Sequence, residues 1–520
     1  MAERAFQLNR VSLAGAGALA VVLCLTAGTL TAVALRADSV GGLGPADWAA
    51  IRFTLLQASL SAFISVALAI PVARALARRD FAGRGLLLTL LGAPFILPVM
   101  VAVLGLLAVF GRNGIVSVAL GQIGLDPISI YGLRGVLLAH VFFNLPLATR
   151  LILQGWQTIP AERFRLAAAL GFSAGDVARI LERPMLRAVL PGAFLVIFLI
   201  CLTSFAVALA LGGGPKATTL ELAIYQAFRF DFDLGKAALL GTVQFALGAS
   251  AALLAVRMTT APGIGAGLGR QVLRWDARAG VLRLQDGVLI LLAALFLVLP
   301  LFMIVKNGIP GLFHLPATVL WAAARSGVVA LASAGLTLGL ALPICALVVR
   351  RRASWAEAVG YLSIAASPLV MGTGLFIILN PVVNPSALAL PVTALVNAAM
   401  SLPFALRAIA PALLDVEDHY GRLSDGLGIT GMDRFRLVWL PRLRRPLGFS
   451  AGLAGALSMG DLGVIAMFAD PEGATLPLQL YRLMAAYRMQ DAAAAALLLL
   501  MMSLAIFWIF DRGGRGHADA

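Results

Sequence analysis

The segment Ala188–Leu211 reads AVLPGAFLVIFLICLTSFAVALAL and contains no charged side chain. A helix needs about 20 apolar residues to cross the ~30 Å hydrocarbon core of a bilayer. Two further segments, Leu13–Leu35 and Leu86–Phe110, are also long and apolar enough. Such uninterrupted runs predict membrane-spanning helices rather than the buried core of a soluble domain.

The composition of the whole chain agrees with this prediction. Of its 520 residues, 61% are hydrophobic and 12% are charged. Soluble domains carry roughly 25% charged and 45–50% apolar residues, so a soluble core cannot absorb the excess. The sequence therefore predicts an all-α polytopic membrane protein with about twelve transmembrane helices. The predicted spans are residues 13–35, 51–73, 86–110, 133–153, 188–211, 236–257, 287–306, 319–348, 356–380, 387–409, 446–469 and 491–510.

The balance of charge predicts how these spans are oriented. The chain carries 40 basic and 25 acidic residues, a net charge of +15. Because basic residues collect in cytoplasmic loops, we attribute this excess to topology rather than to nucleic-acid binding. A cytoplasmic N-terminus places 29 of the 40 basic residues inside. We therefore expect a multi-pass protein of the cell inner membrane, surrounded by lipid, with both termini cytoplasmic. Short helices are expected in the outer loops 111–132, 212–235 and 470–490.

An internal repeat divides the chain into two halves. With an offset of 257 residues, Leu145-Pro146 matches Leu402-Pro403, Gly171 matches Gly428 and Pro184 matches Pro441. Residues 258–286 are rich in glycine and lie near the midpoint. We predict a first transmembrane repeat over 1–257, a cytoplasmic linker over 258–286 and a second repeat over 287–520. An even number of spans separates the matched loops, which predicts parallel repeats with a pathway between them.

Two arginine-rich inside loops, about 154–185 and 411–445, share one spacing. In each, a glycine is followed thirteen residues later by a proline, at Gly171 and Pro184 and at Gly428 and Pro441. Glycine can end a helix in the left-handed conformation, a second short helix can follow, and proline then breaks the chain. The spacing predicts a helix–turn–helix elbow in each half. It leaves open whether the elbows contact a soluble partner or only anchor the loops at the interface.

The residues around these landmarks carry a family resemblance. The first copy has Arg165-Leu166-Ala167, Gly171, Leu181, Arg183 and Pro184, and the second has Arg422-Leu423-Ser424, Gly428, Val438, Leu440 and Pro441. Both resemble the cytoplasmic EAA loop of ATP-binding-cassette importer permeases. Both lack that family's glutamate, and Arg183 stands where leucine is usual. The resemblance implies two coupling helices, each seated in a groove of one of two ATPase subunits. The coupling residues it implies are Leu166, Ala167, Gly171, Leu181, Pro184, Leu423, Gly428, Val438, Leu440 and Pro441.

Longer segments resemble one branch of that family, the thiamine and thiamine pyrophosphate permeases. They include residues 205–226, residues 435–441, residues 457–464 and residues 487–491. This resemblance implies a type I importer with two fused six-helix repeats, a periplasmic thiamine-binding protein and a small cationic substrate. Fused ferric-iron permeases share the elbow loops, so ferric iron is the alternative substrate. An ion-coupled secondary transporter with a parallel repeat is the alternative from another class.

The sequence offers no site for catalysis by this chain. It has no glycine-rich phosphate-binding loop, because its one Gly-Lys pair, Gly235-Lys236, lacks the preceding glycine and the following hydroxyl. ATP hydrolysis is therefore expected from a separate subunit. The four histidines show no metal-ligand spacing. We expect no catalytic, cofactor-binding or metal-binding residues, no cofactor and no nucleic-acid partner.

Candidates for a substrate pathway come from polar residues inside predicted spans. Asp461 is the acidic residue placed clearly within one, and a carboxylate there is costly unless it meets water, a partner or a cation. Its repeat counterpart is Ser204 or Phe205, so the pathway would be asymmetric. The thiazolium cation implied by the resemblance would suit this carboxylate, and helix packing is the alternative. His140 and its counterpart Asn397, and Asn144 with its counterpart Ser401, could line the pathway or bond between helices.

Overall fold

A computed structural model describes residues 2–37, 42–92, 96–258, 274, 280–351, 353, 355, 356, 359, 360, 363, 366–470 and 473–515. Within these ranges the regular structure is helical and no strand occurs. The prediction of an all-α polytopic membrane protein is therefore confirmed.

Eleven helical segments in the described ranges are long and apolar enough to cross a membrane, some of them with a short non-helical interruption, and a shorter apolar helix lies between the eighth and the ninth. We number these helices α1 to α12 in chain order. They are α1 Leu13–Ala37, α2 Pro45–Arg78, α3 Val99–Gln122, α4 Leu133–Thr158, α5 Ala174–Leu202, α6 Leu234–Ala255, α7 Gly280–Leu312, α8 Ala317–Arg350, α9 Pro368–Leu379, α10 Pro385–Gly426, α11 Gly431–Phe468 and α12 Met489–Arg515.

The ninth predicted span, 356–380, matches the short helix α9. Its 12 residues rise only ~18 Å, which is less than the hydrocarbon thickness. Ser367 caps its first turn by accepting a hydrogen bond from the Val370 N–H at 3.1 Å. Several residues of this predicted span that precede Ser367 lie outside the described ranges.

Two predicted spans, 188–211 and 446–469, are wrong as single helices because both are interrupted. The first consists of Arg183–Leu202 and Ala206–Leu211, and the second of Leu440–Gly460 and Gly463–Phe468. Short polar side chains at these interruptions can form hydrogen bonds that compete with those of the helix backbone. Asp461 is extended, and its carboxylate accepts a hydrogen bond from the Gly463 N–H at 3.2 Å. Interrupted membrane helices are tolerated where they are buried in protein or line a cavity.

The predicted span 86–110 is also divided. It contains the helix Arg84–Leu90 and the helix Val99–Phe110, which begins directly after Pro98. Proline cannot donate a backbone hydrogen bond in a helix interior, but it is compatible with a helix start.

The loops expected to hold short helices do so. The helices Ile115–Gln122, Leu220–Arg229 and Leu476–Ala485 lie in them. The predicted linker 258–286 lies mostly outside the described residues. Its last part differs from the prediction, because α7 begins at Gly280 and includes Asp286.

The packing repeats between the two halves. Helix α2 packs along α4, and α8 packs along α10. Large apolar side chains such as Phe63, Leu292 and Trp508 are more than half exposed, as expected of surfaces that meet lipid rather than water. Polar side chains on the same bundle, including Ser61, His140 and Ser333, are buried instead. The bundle therefore has apolar outer faces and encloses these polar side chains within a mainly apolar core.

Candidate functional site

The first elbow joins the helix Ala161–Ala169 to α5. Gly171 has φ +68°, and the N–H groups of Gly171 and Phe172 return to Ala168 O at 3.1 Å and Ala167 O at 3.0 Å. This bonding closes a helix C-terminus through a left-handed glycine. The hydroxyl of Ser173 then starts α5 by accepting from the Asp176 N–H at 3.2 Å. The turn predicted at Gly171 is confirmed.

The second elbow has the same construction between α10 and α11. Gly428 has φ +67°, its N–H donates to Asp425 O at 3.2 Å, and the Ile429 N–H donates to Ser424 O at 2.9 Å. Thr430 precedes the first turn of α11. The two elbows therefore share a left-handed glycine and the same pair of backbone hydrogen bonds.

The predicted break at Pro184 and Pro441 is wrong. The helix passes through both prolines after a π-helical turn, Ala178–Glu182 in the first half and Phe435–Trp439 in the second. Proline lacks an N–H, and its ring collides with a carbonyl one turn back in an α-helix. A wider π turn before each proline relieves this conflict while the helix continues. Each elbow therefore extends directly into a membrane helix.

The coupling residues implied by the family resemblance are spread over both sides of each elbow. Leu166, Gly171, Pro184, Leu423, Gly428, Leu440 and Pro441 are exposed, Leu181 is half-buried, and Ala167 and Val438 are buried. The buried members pack the elbow onto the bundle. The exposed members are the ones that another protein can reach.

Three pairs of large apolar side chains are exposed at matching positions of the two elbows, and four of these six residues were missed from the sequence. The first apolar elbow face consists of Leu166, Leu170 and Ile180, and the second of Leu423, Leu427 and Leu437. All six are between 51% and 66% exposed, and each pair is 257 residues apart. The repeat offset, applied to apolar positions around the glycines, could have found them. Exposed apolar groups of this kind are typical of sites that contact another protein or the membrane.

A buried carboxylate braces the first elbow. Glu182, in the π turn, receives hydrogen bonds from Arg74 at 2.7 Å, Arg274 at 2.7 Å and the Trp156 indole at 3.4 Å. The guanidinium of Arg274 also lies 5.0 Å from the centre of the Phe164 ring. These contacts tie α2, α4 and the first elbow together.

A similar set of contacts holds the second elbow, but the glutamate and the tryptophan have exchanged places. Here Trp439 lies in the π turn, and its indole donates to Glu417 on α10 at 2.6 Å. Arg434 forms two hydrogen bonds to Glu417, at 2.6 and 3.1 Å, and one to Asp425 at 2.8 Å. The helices before and after Gly428 are therefore fixed relative to one another.

We expect Arg434→Met to loosen the second elbow. Arg434 is 2% exposed, and the substitution removes the guanidinium that binds Glu417 and Asp425. Charge-assisted hydrogen bonds of this kind contribute about 2–3 kcal/mol in total here, because Asp425 is partly solvated. Thermal unfolding of the purified protein in detergent should show a lower melting temperature. Arg436→Met, at an exposed position of the same turn, is the control and should leave the melting temperature unchanged.

The structure brings together the polar candidates of the first half. The His140 ring lies 3.0 Å from the Ser61 hydroxyl through Nδ1 and 2.8 Å from the Ser204 hydroxyl through Nε2. Asn144 donates to His140 O at 2.8 Å and to Cys201 Sγ at 3.3 Å. This first polar cluster joins α2, α4 and the end of α5 at the helix interruption.

A second polar cluster occupies the equivalent place in the other half. Asn397 donates to the Ser458 hydroxyl at 3.0 Å, and Ser458 lies 2.9 Å from Ser333. Asn397 also lies beside the carboxylate of Asp461. One oxygen of Asp461 accepts from Gly463, but Oδ2 is buried without a hydrogen-bond partner among the described residues. Ser401 is buried on the same helix as Asn397.

The two helix interruptions lie side by side. A Cβ atom added to Gly463 would be 3.9 Å from the Phe205 ring and 3.7 Å from Asp461 Oδ1. Residue 205 belongs to the first interruption and residue 463 follows the second. The ring of Phe205 in the first interruption therefore lies beside Gly463, the residue that follows the second interruption, and both are close to Asp461. No group of three potential metal ligands occurs among the described residues.

These features define a class of protein: polytopic helical membrane proteins with paired elbows and broken helices at the centre. No family model matches the chain. It is 38% identical to the thiamine transport system permease protein ThiP of Brucella abortus (strain 2308), over 98% of this chain and 96% of the relative. The ThiP proteins of Escherichia coli K12 and Salmonella typhimurium LT2 are 40% and 39% identical, over 89% and 91% of this chain and 89% and 90% of theirs.

The chain belongs to the family of thiamine transport system permease proteins. The resemblance recognised from the elbow loops and the central segments is thereby confirmed. Its relatives are transport permeases rather than enzymes. The ferric-iron alternative finds no support in these relatives.

Proposed function

We propose that this chain is the membrane permease of an ATP-driven importer that moves thiamine, thiamine pyrophosphate or both across the inner membrane. A binding protein delivers the substrate outside, and two separate ATPase subunits hydrolyse ATP inside. The relatives are named as thiamine transport permeases over nearly their whole length, and this observation carries the proposal. ATP supplies the free energy, and the helical bundle supplies the two conformations that ATP binding biases.

The two apolar elbow faces support docking of two copies of one ATPase subunit. Their exposed side chains repeat at one sequence offset, and both elbows are closed by the same hydrogen bonds. Two equivalent surfaces suit two identical partners. Each elbow continues directly into a membrane helix, α5 in the first half and α11 in the second. A displacement of the elbow by the ATPase subunit is therefore transmitted along that helix to its interruption.

Paired contacts also support the division into repeats 1–257 and 287–520. The Thr54 hydroxyl accepts a hydrogen bond from the Leu220 N–H at 2.7 Å, and the Ser326 hydroxyl accepts one from the Leu476 N–H at 2.8 Å. Each bond holds a short amphipathic helix against a long helix of its own half. We infer that these two helices lie on the outer side, with the elbows and both termini in the cytoplasm, as the distribution of basic residues favours.

The two polar clusters are the proposed substrate pathway. His140, Asn144, Ser204, Asn397 and Asp461 surround the adjoining helix interruptions, where irregular backbone offers additional polar groups. We assign Asp461 as a contact for the thiazolium cation, because one of its buried oxygens has no partner among the described residues.

Co-purification with the ATPase subunit tests the proposal. We expect the wild-type chain to retain two ATPase subunits and to import thiamine in vesicles only with ATP and the binding protein. The double variant Leu170→Arg, Leu427→Arg should lose both subunits and all ATP-driven uptake, because it places a charge on each apolar elbow face. Leu125→Arg, an equally exposed leucine outside the elbows, should behave as wild type. Uptake driven by an ion gradient without ATPase subunits would instead establish a secondary transporter.

A further inference from the structure

Glu221 is a carboxylate that neither the elbows nor the polar clusters use. It lies in the first turn of the helix Leu220–Arg229 and is 0% exposed. Neither of its carboxylate oxygens has a hydrogen-bond partner among the described residues. An ionised carboxylate buried in this way is strongly disfavoured. Burial raises the pKa of Glu221 to about 8.

The fold does not require an acid at this position. The equivalent helix of the second half, Leu476–Ala485, has Pro477 there at an offset of 256 residues. Both helices are anchored in the same way, through Thr54 in one half and Ser326 in the other. Because the anchor is complete with proline at this position, packing alone does not explain why residue 221 is an acid.

Glu221 faces the interface between the two halves. Its nearest polar neighbours are Ser367, the cap of α9 in the second half, and Gln244 on α6 in the first half. Gln244 donates to Leu202 O at 3.0 Å, and Leu202 is the last helical residue before the first interruption. The carboxylate therefore lies where the two halves meet, next to the end of a broken helix.

The same short stretch of α9 also borders the neighbourhood of Asp461. Gly463, whose N–H binds Asp461, would place a Cβ 3.8 Å from the Leu369 side chain. Leu369 is two residues after Ser367, the neighbour of Glu221. Each half thus contributes one carboxylate with an unpartnered oxygen among the described residues, and both adjoin the start of α9.

We propose that Glu221 is a second anionic contact for the cationic ring of the substrate, reached when the two halves separate at α6 and α9. This inference rests on the proposed function. In the closed packing described here the carboxyl group is held neutral. When the halves separate, water and the substrate cation reach Glu221, and its carboxyl group loses its proton to water. The cation then pairs with the carboxylate and stabilises its ionised form.

The test uses the full complex with its ATPase subunits and binding protein in vesicles. Glu221→Gln keeps the shape of the side chain and removes the charge, so the maximal rate of thiamine uptake should fall at least tenfold. Glu221→Asp keeps the charge and should retain at least a third of the wild-type rate. The control Asp231→Asn removes an exposed carboxylate ten residues further along and should not change uptake.

Assembly is measured on the same samples by the ratio of ATPase subunits retained and by the melting temperature. Equal uptake by Glu221→Gln and wild type would overturn the inference and leave the proposed function standing. Loss of assembly in Glu221→Gln, or equal losses of uptake in the Gln and Asp variants, would also overturn it, because the group would then act through packing. Failure of the wild-type complex to import thiamine would instead contradict the proposed function.

Discussion

Valine at Gly171 or Gly428 is expected to uncouple ATP hydrolysis from uptake, so that thiamine imported per ATP falls at least tenfold. Both glycines have positive φ, near +68°, where a β-branched residue is strained by about 1–3 kcal/mol. A Cβ added at either position meets no atom within 4 Å, so the effect comes from backbone conformation and not from a steric clash. The elbow relieves the strain by changing its angle, which displaces its apolar face. Uptake and ATP hydrolysis are measured together in reconstituted vesicles.

Gly426 provides a matched control for this prediction. It is the last residue of α10, two positions before Gly428, and a Cβ added there also meets open space. Its conformation is helical, so Gly426→Val should leave the ratio of transport to hydrolysis unchanged. Normal coupling in both Gly171→Val and Gly428→Val would show that the elbows do not transmit force. A loss of coupling in Gly426→Val as large as in Gly428→Val would show that side-chain bulk, rather than backbone geometry, is responsible.

The sequence predicted the helical membrane fold, the repeat and the two glycine turns because these depend on local signals. Apolar runs, the left-handed preference of glycine and a repeated offset can all be read along the chain. The continuation of the helix through Pro184 could not be predicted in this way. It depends on a π turn stabilised by the contacts of Glu182 with Arg74 and Trp156, which are distant in sequence.

The candidate site could be predicted only where it depends on signals that are local in the sequence. Asp461, His140 and Asn397 could be proposed as candidates because polar residues inside apolar runs are conspicuous. The helix interruptions beside them were missed, since Thr203 and Ser204 are common in continuous membrane helices and only packing against the other half distinguishes them. Glu221 was missed because it lies in a loop that the sequence places outside the spans. Its burial becomes visible only when Gln244 and Ser367 are brought beside it.

Asp461→Asn is expected to lower thiamine uptake at least tenfold without preventing assembly with the ATPase subunits. The substitution separates the hydrogen bonding of this side chain from its negative charge. An asparagine oxygen can still accept the hydrogen bond from the Gly463 N–H, so the turn that leads into the short helix Gly463–Phe468 is kept. The substitution removes the negative charge beside Asn397, with which a permanent cation would interact during transport. Uptake is measured in vesicles, and assembly by the ratio of retained subunits.

Asp461→Ala and Ser204→Ala complete this experiment. Asp461→Ala removes the hydrogen bond to Gly463 and the charge together, so a larger loss of stability than in Asp461→Asn would isolate the contribution of that hydrogen bond. Ser204 is one of the two possible counterparts of Asp461 in the first half and carries no charge, and Ser204→Ala removes its hydrogen bond to His140 at 2.8 Å. If both neutral variants at 461 assembled and transported normally, the carboxylate would have no part in transport. If Asp461→Asn failed to assemble, the charge would belong to helix packing, and the cation would have to be held elsewhere along the interface between the halves.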